Sequence, residues 1–457
     1  MEARNGTEIL SGDIVTTLPD PAYILAIDIG TTTLRSHVYN ANANVVGIGS
    51  KRIQLLYPQP GWVEMDEEVF YQQFIDVVKI SLERANITAA DVTSLGISTQ
   101  RNTFITWDRE TGKPFHRLIT WKDTRFDAYC HTWNNCVTVK ALRAGSRCLY
   151  SLTRNKRYLA TTVFQFKTET LPIRLRWLLD HNAEMNRRSC EGQVMFGTIE
   201  TWLLWKLTGG KKHLVDWSSA SSTLLFDPYL LQWSSIILRL VGLPMDMLPR
   251  LVDTAGDFGE TLPEVFGAPI KVAAMVGDQQ AAMFGECCFA VGDVKCTMGT
   301  GTFIDINTGS NSRTSRGGLY PLVGWKMEDE VVYLAEGGSA DTGTAISWAQ
   351  DIGLFAEARE SSAIAESVKD SNGVFFIPSF SGLQAPVNDA QACAGFLGLS
   401  SHTTKAHMVR SLLESLAFRI KQLFETIVAE ATFPVGNMRD GEACQATSFL
   451  LSSSCRS

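Results

Sequence analysis

The stretch that decides the fold is YILAIDIGTTTLRSHVYNANANVVGIGSKRI, residues 23–53. Tyr23–Asp28 is short and apolar, as a buried strand must be, and Gly30-Thr31-Thr32-Thr33 turns the chain back. Arg35–Asn40 and Val45–Ile53 predict two further strands, joined by a hairpin turn at Asn40–Asn44. The chain therefore opens on three antiparallel strands. A helix follows from Asp66, which is placed to cap it. Glu67 and Glu68 suit its positive end, and Phe70, Phe74, Val77 and Val78 share one face. The next strand, Val92–Ser98, runs into Thr99-Gln100-Arg101-Asn102, and this helix-then-strand order makes the domain α/β.

Farther along, Gly192–Leu207 reads as helical, Val215–Phe226 is rich in Ser and Thr, and Arg250–Lys271 reads as a connector. The opening pattern then recurs. Lys271–Val276 is a second apolar run, and Val294–Met298, Gly299-Thr300-Gly301 and Thr302–Asn307 predict strand, turn and strand. Two α/β halves are expected, each setting a Gly/Thr hairpin beside an aspartate. The expected units are a loose leader over 1–21, domains over 22–265 and 266–435, and a divergent tail over 436–457. In the second half, Met408, Leu412, Leu416, Ile420, Leu423 and Ile427 line one face of a helix from Lys405 to about Ala431.

Composition excludes several classes. Among 457 residues, 45% are hydrophobic and 19% charged, which excludes disorder as the main state. The formal charge of −7 comes from 41 basic and 48 acidic residues spread along the chain, so no nucleic-acid surface is expected. No apolar run is long enough for a membrane span, so no membrane insertion is expected. The N-terminus lacks the pattern of a secretory signal, and the ten cysteines form neither a disulfide framework nor a zinc spacing. A cytoplasmic location is the expectation.

Ligands of open α/β sheets sit at the carboxyl ends of strands. Polar clusters stand at three such ends: Asp28 with Gly30-Thr31-Thr32, Gln100-Arg101, and Gly277-Asp278-Gln279-Gln280. The first suits phosphate and magnesium, because amides and threonine hydroxyls bond phosphate oxygens and the aspartate holds Mg²⁺ through water. Arg35 adds a cation. Taken alone, such a cluster is equally an ordinary strand-to-strand turn; the matching hairpin at Gly299-Thr300-Gly301 favours a polyphosphate clamped from both sides. Asp278 precedes an apparent helix and suits either a general base or a helix N-cap. P-loop, GxGxxG and GxSxG motifs are absent.

Taken in order, IDIGTT (27–32), YPQPGWVEMD (57–66), TQR (99–101), FGTIETWL (196–203), GDQQAAMFG (277–285), MGTG (298–301) and PSFSGLQAP (378–386) resemble the FGGY carbohydrate kinases, in their glycerol kinase branch. The resemblance covers roughly residues 22–435. It implies two actin-like (ribonuclease-H-like) domains around a cleft, in which ATP gives its γ-phosphoryl group to a polyol hydroxyl. By this resemblance Asp28 lies at the Mg²⁺-phosphate, and Thr31, Thr32 and Arg35 contact phosphates. Asp278 is the base, Gln279 and Arg101 bind substrate hydroxyls, and Trp121 and Phe303 flank the carbon chain. Gly299, Thr300, Gly301 and Gly343 hold the nucleotide, with Ser347 near the adenine. Dimers are common in the family, so a homodimer is also implied.

Departures from the pattern bear on the substrate. Asn102 stands where the branch carries a glutamate, a charge-assisted bond worth about 1.5–3 kcal/mol. The branch's substrate tyrosine has no counterpart near Glu169–Leu171, and the terminal CQATSFLLSSSCRS does not continue the family's Asp-Gly-Gly adenosine motif. An incomplete second domain, bare apolar surface on the Met408–Ile427 helix, weak ATP binding and reduced stability are expected from that tail. Phosphorylation of glycerol, phosphorylation of another polyol or a ketose, and nucleotide or metabolite binding without turnover are the functions these residues allow.

Overall fold

The computed structural model describes residues 22–441 except 163, 300, 316, 390 and 437. The opening strands are β1 (Tyr23–Ile29), β2 (Thr33–Tyr39) and β3 (Val45–Arg52), antiparallel in succession as their turns dictate. The Asn40 side chain accepts from the amides of Asn42 and Asn44, at 3.0 Å each, and closes the second turn. Helix α1 (Glu67–Ala85) starts where Asp66 accepts from the Val69 amide at 3.0 Å and ends on the left-handed Asn86, at φ 55°. Its buried face, including Phe70, Phe74, Val77 and Val78, packs on Leu25, Ile27 and Leu34 of the sheet.

Strand β4 (Val92–Thr99) lies parallel to β1. Strand β5 (Val272–Gly277) lies parallel to β4 on its other side, giving the order β5-β4-β1-β2-β3. The sequence placed this apolar run at the head of the second half; the structure makes it the edge of the first sheet. A parallel pair needs a long crossover, and an apolar run does not reveal which strand it will join. The expected boundary near residue 265 therefore falls before the first sheet's last strand.

The second sheet orders β8 (Tyr320–Met327), β9 (Glu330–Ser339), β7 (Thr302–Gly309), β6 (Val294–Met298) and β10 (Met438–Gly441). Helix α2 (Asp278–Gly285) follows β5, and helix α3 (Thr342–Asp351) follows β9. Helix α4 (Lys405–Glu430) buries Leu412, Leu416, Ile420, Leu423 and Ile427 against Ile304, Ile306 and Ala335. The face expected to lie bare is therefore covered, and the large apolar residues of α4 that stay exposed are Phe418 and Val428. Residues 438–441, placed in a divergent tail by the sequence, pair with β6; the remainder of that tail lies outside the described residues.

A further correction concerns residues 192–207. Val194–Thr198 is a strand, buried throughout and antiparallel to Phe104–Asp108, and only Ile199–Leu207 is helical. The strand is buried at every position and the helix at all but Trp205 and Lys206, so neither shows the amphipathic period that separates strand from helix. No helix among the described residues is long and apolar enough to cross a membrane.

The packing of α1 on β3 depends on glycine. A Cβ on Gly49 would overlap the Val77 carbonyl of α1, whereas Gly145, in the helix Val137–Thr153, has open space around it. Gly49→Ala is expected to destabilise the protein by about 1–3 kcal/mol. Gly145→Ala is expected to stabilise it by about 0.5–1 kcal/mol, and urea unfolding of the two variants measures both.

Candidate active site

Register brings the three polar strand ends level. Asp28 of β1 stands opposite Ser98 of β4, which stands opposite Val276 of β5. One residue on, Thr99 pairs with Ile29 and Gly277. Asp28, Gln100-Arg101 and Asp278 thus emerge along one edge of one sheet. Buried Gln100 acts as a bracket: its amide donates to the Ile29 carbonyl at 2.8 Å and its side chain to the Gly30 carbonyl at 3.0 Å. That fixes the hairpin carrying Thr31 and Thr32.

Arg35 is the cross-strand partner of Asp28, at 3.3 Å, so its charge is already engaged. Burial raises the Asp28 carboxyl above its ordinary value, against the pull of Arg35. The Trp121 indole donates to the Thr31 hydroxyl at 2.9 Å. Thr32 is exposed beside it. Trp121 in turn rests on Arg174, a fully buried guanidinium that donates to the carbonyls of Thr120, Trp121 and Asp123 at 2.8–2.9 Å. The 57–66 motif braces the same loop: Asp123 accepts from the Val63 amide at 2.7 Å, and Arg125 lies 3.6 Å over Trp62 while bonding Glu64 at 2.7 Å.

Arg101 reaches across to the second sheet. Its guanidinium lies 3.5 Å from Asp278, 2.7 Å from Glu336 of β9, and 5.6 Å over the Phe303 ring of β7. Asp278 is the first residue of α2 and Gly277 the cap, so the N-cap reading is corrected; the Asp278 carboxylate accepts from the next amide, Gln279, at 2.8 Å. Burial raises Asp278 above its ordinary value, with Arg101 opposing. Gln279 is held by buried Lys295, whose ammonium donates to its carbonyl at 3.2 Å and its side-chain oxygen at 2.9 Å. The Gln279 amide nitrogen is left as the group able to serve a ligand.

Asn102 has left-handed backbone, φ 62°. Its nitrogen donates to the Ser222 carbonyl at 3.2 Å, while its buried oxygen has no partner among the described residues. On the second domain's side, Gly299 and Gly301 form the β6–β7 hairpin, with a 2.9 Å bond between them. A Cβ on Gly301 would come within 2.9 Å of the Ser339 carbonyl. The Thr302 and Thr342 hydroxyls, 2.7 Å apart, tie this hairpin to the first turn of α3, where Gly343 sits; Ser347 is exposed one turn later. Thr300 lies outside the described residues.

Glu336, Lys295, Asp305 and Arg174 were missed in the sequence. A signal existed for two of them: Lys295 and Asp305 each interrupt an apolar strand, in VKCTM and TFIDIN.

Comparison with known proteins identifies the family. The N-terminal domain of the FGGY family of carbohydrate kinases matches residues 23–285, and its C-terminal domain matches residues 294–440. The chain belongs to the FGGY family of carbohydrate kinases. It is 51% identical to glycerol kinase 5 of Danio rerio, covering 92% of this chain and 80% of the relative. It is 37% identical to a glycerol kinase of Thermus brockianus, covering 94% and 83%. A Plasmodium falciparum glycerol kinase crystallised with ADP superposes with a TM-score of 0.76 at 30% identity, covering 92% of this chain and 81% of that one.

In this FGGY kinase the Trp121–Thr31 bond links the turn after β1 to the loop carrying the indole. Thr31→Val removes the acceptor, and the Michaelis constant for the carbohydrate or polyol acceptor is expected to rise about 2–10-fold. Thr31→Ser keeps the hydroxyl and is expected to stay near wild type in the same steady-state assay.

Proposed function

We propose that this kinase transfers the γ-phosphoryl group of ATP to a hydroxyl of glycerol, forming glycerol 3-phosphate. The observation that carries the reading is Asp278, raised by burial yet held beside Arg101 at the carboxyl end of a parallel strand. A hydroxyl at Asp278 gives up its proton to the carboxylate as its oxygen attacks the γ-phosphorus, and ADP leaves with the displaced oxygen. Arg101 and the Gln279 amide donate to the remaining hydroxyls, and the unpartnered Asn102 oxygen accepts from one. Trp121 and Phe303 flank the carbons.

Mg²⁺ fits Asp28. This carboxylate is partly accessible, and no group of three His, Cys, Asp or Glu residues suited to a metal exists among the described residues. Such a site suits an ion that takes one carboxylate and completes its shell with phosphate oxygens and water, neutralising charge on the transferred group. The β1–β2 turn and the Gly299–Gly301 hairpin support a nucleotide held from both sides, and Gly343 and Ser347 of α3 are assigned to it by the family resemblance. A cytoplasmic location and a homodimer, tested by fractionation and light scattering, extend from the family resemblance.

A second reading, a kinase for another polyol or a ketose, is favoured by Asn102, which is neutral and has a free acceptor. A product assay across glycerol, longer polyols and ketoses decides between the two. Asp278→Asn is expected to lower kcat by about 10²–10⁴-fold while calorimetry shows unchanged MgATP binding. In wild type, kcat/KM should fall as pH drops through the raised value of Asp278, because only the ionised carboxylate takes the proton. The limb should lie above that of a solvent-exposed aspartate.

A further inference from the structure

Side chains in register cross the second sheet in one row: Tyr320, Glu336, Asp305, Lys295. Partners directly opposite in a sheet share a face, and this face is the one on which Arg101 and α2 lie. Asp305 and Glu336 are therefore two carboxyls placed directly against each other. Asp305 and Lys295 are fully buried and 3.3 Å apart. Asp305 Oδ2 is ion-paired with Lys295 at 3.3 Å and Glu336 Oε2 with Arg101 at 2.7 Å, but the buried Oδ1 of Asp305 lacks a hydrogen-bond donor among the described residues. One proton between the two carboxyls supplies that donor.

Charge counting gives the same answer. The groups facing Asp305 are Lys295 from β6, Glu336 from β9 and Arg101 from the loop after β4, and Asp278 at the head of α2 faces the same two cations. Two cations meet three carboxyls. Tyr320 is a neutral phenol that burial pushes up, and Arg439 of β10 pairs with Asp293 at the surface. Asp278 must stay ionised to act as base, and Glu336 is already 2.7 Å from Arg101.

We propose that Asp305 and Glu336 share a single proton, and that Asp305 is thereby a positioning residue for phosphoryl transfer, keeping Arg101 on Asp278 and Lys295 on Gln279. The proposal rests on Asp278 being the base. Burial pushes the Asp305 carboxyl up to about 7, opposed by Lys295 and reinforced by Glu336. Once the proton is lost, a third negative charge competes for both cations. Gln279 then loses its hold and Arg101 is drawn from Asp278.

The test compares Asp305→Asn, whose amide donates at every pH, with Asp305→Leu, which donates at none. Wild-type kcat/KM for glycerol should fall on the alkaline side of about pH 7, where Asp305 ionises. Asp305→Asn should match wild type within about three-fold at lower pH and lack that fall. Asp305→Leu should lose about ten-fold or more at every pH. Independently of turnover, the infrared spectrum of wild type at acidic to neutral pH should carry a protonated-carboxyl band absent from Asp305→Asn.

Stability supplies a third readout. The folded value lies above the ordinary 3.8, so the folded state binds the extra proton and wild type should lose thermal stability as pH rises from about 4 to about 7. Asp305→Asn should lose less. An alkaline fall retained in Asp305→Asn, a missing infrared band, or wild-type activity in Asp305→Leu would each overturn the proposal. If wild type turns over no glycerol, the functional reading fails, while the band and the thermal slope still decide the shared proton. If Asp305→Leu does not fold, those same two measurements stand.

Discussion

The contact on which the site depends is the guanidinium of Arg101, carried by the first sheet and seated on Glu336 of the second. One planar, permanently charged group serves three neighbours: the Glu336 carboxylate, the Asp278 carboxylate and the Phe303 face. Arginine can do this because its donors lie in a fixed fork and its flat face stacks; an ammonium is a point charge. The same contact keeps the end of β4 against β7 and β9, so the placement of Arg101 beside Asp278 and the approach of the two sheets are one constraint. Nothing wider than a hydrogen fits at Gly277, because a Cβ there would come 3.1 Å from the Arg101 side chain and 2.7 Å from Gln280.

Such an arrangement is costly in isolation. Removing charges from water is repaid by pairing only when geometry and hydrogen bonding are complete. The apolar cores bear the main load of folding, with Phe70, Phe74 and Leu95 on one side and Leu412, Leu416 and Ile304 on the other. The charged row lies between those cores, where it contributes specificity of position more than stability. Truncating one member would strand its partners, whereas neutralising it in the same shape need not. That asymmetry separates a positioning group from mere filler.

The hairpins and the three polar strand ends were legible in the sequence because each rests on local chemistry: an apolar run, a glycine, a hydroxyl, an aspartate. The capped start of α1 and the extent of α4 were legible for the same reason. What stayed hidden was pairing. The run 272–277 looks alike in either sheet, and its membership is fixed by a crossover no local signal encodes. Lys295, Asp305 and Glu336 are scattered over more than forty residues, and only the register of β6, β7 and β9 sets them in one row. Residues 192–207 misled because a strand and a helix buried at nearly every position carry the same composition.

Two bonds tie the turn after β1 to the loops that carry Arg101 and Trp121. Trp121 holds Thr31, and Gln100 holds the Gly30 carbonyl, so the turn after β1 is positioned by the same loops that present Arg101 and Trp121. A ligand that settles Trp121 also settles the hydroxyl of Thr31. Under the proposed function, a phosphate at Thr31 would reach Trp121 by the same bond. Coupling between two ligands requires only that each prefer the same arrangement of a shared element. Here that element is a turn of four residues, braced from behind by a buried glutamine and in front by an indole.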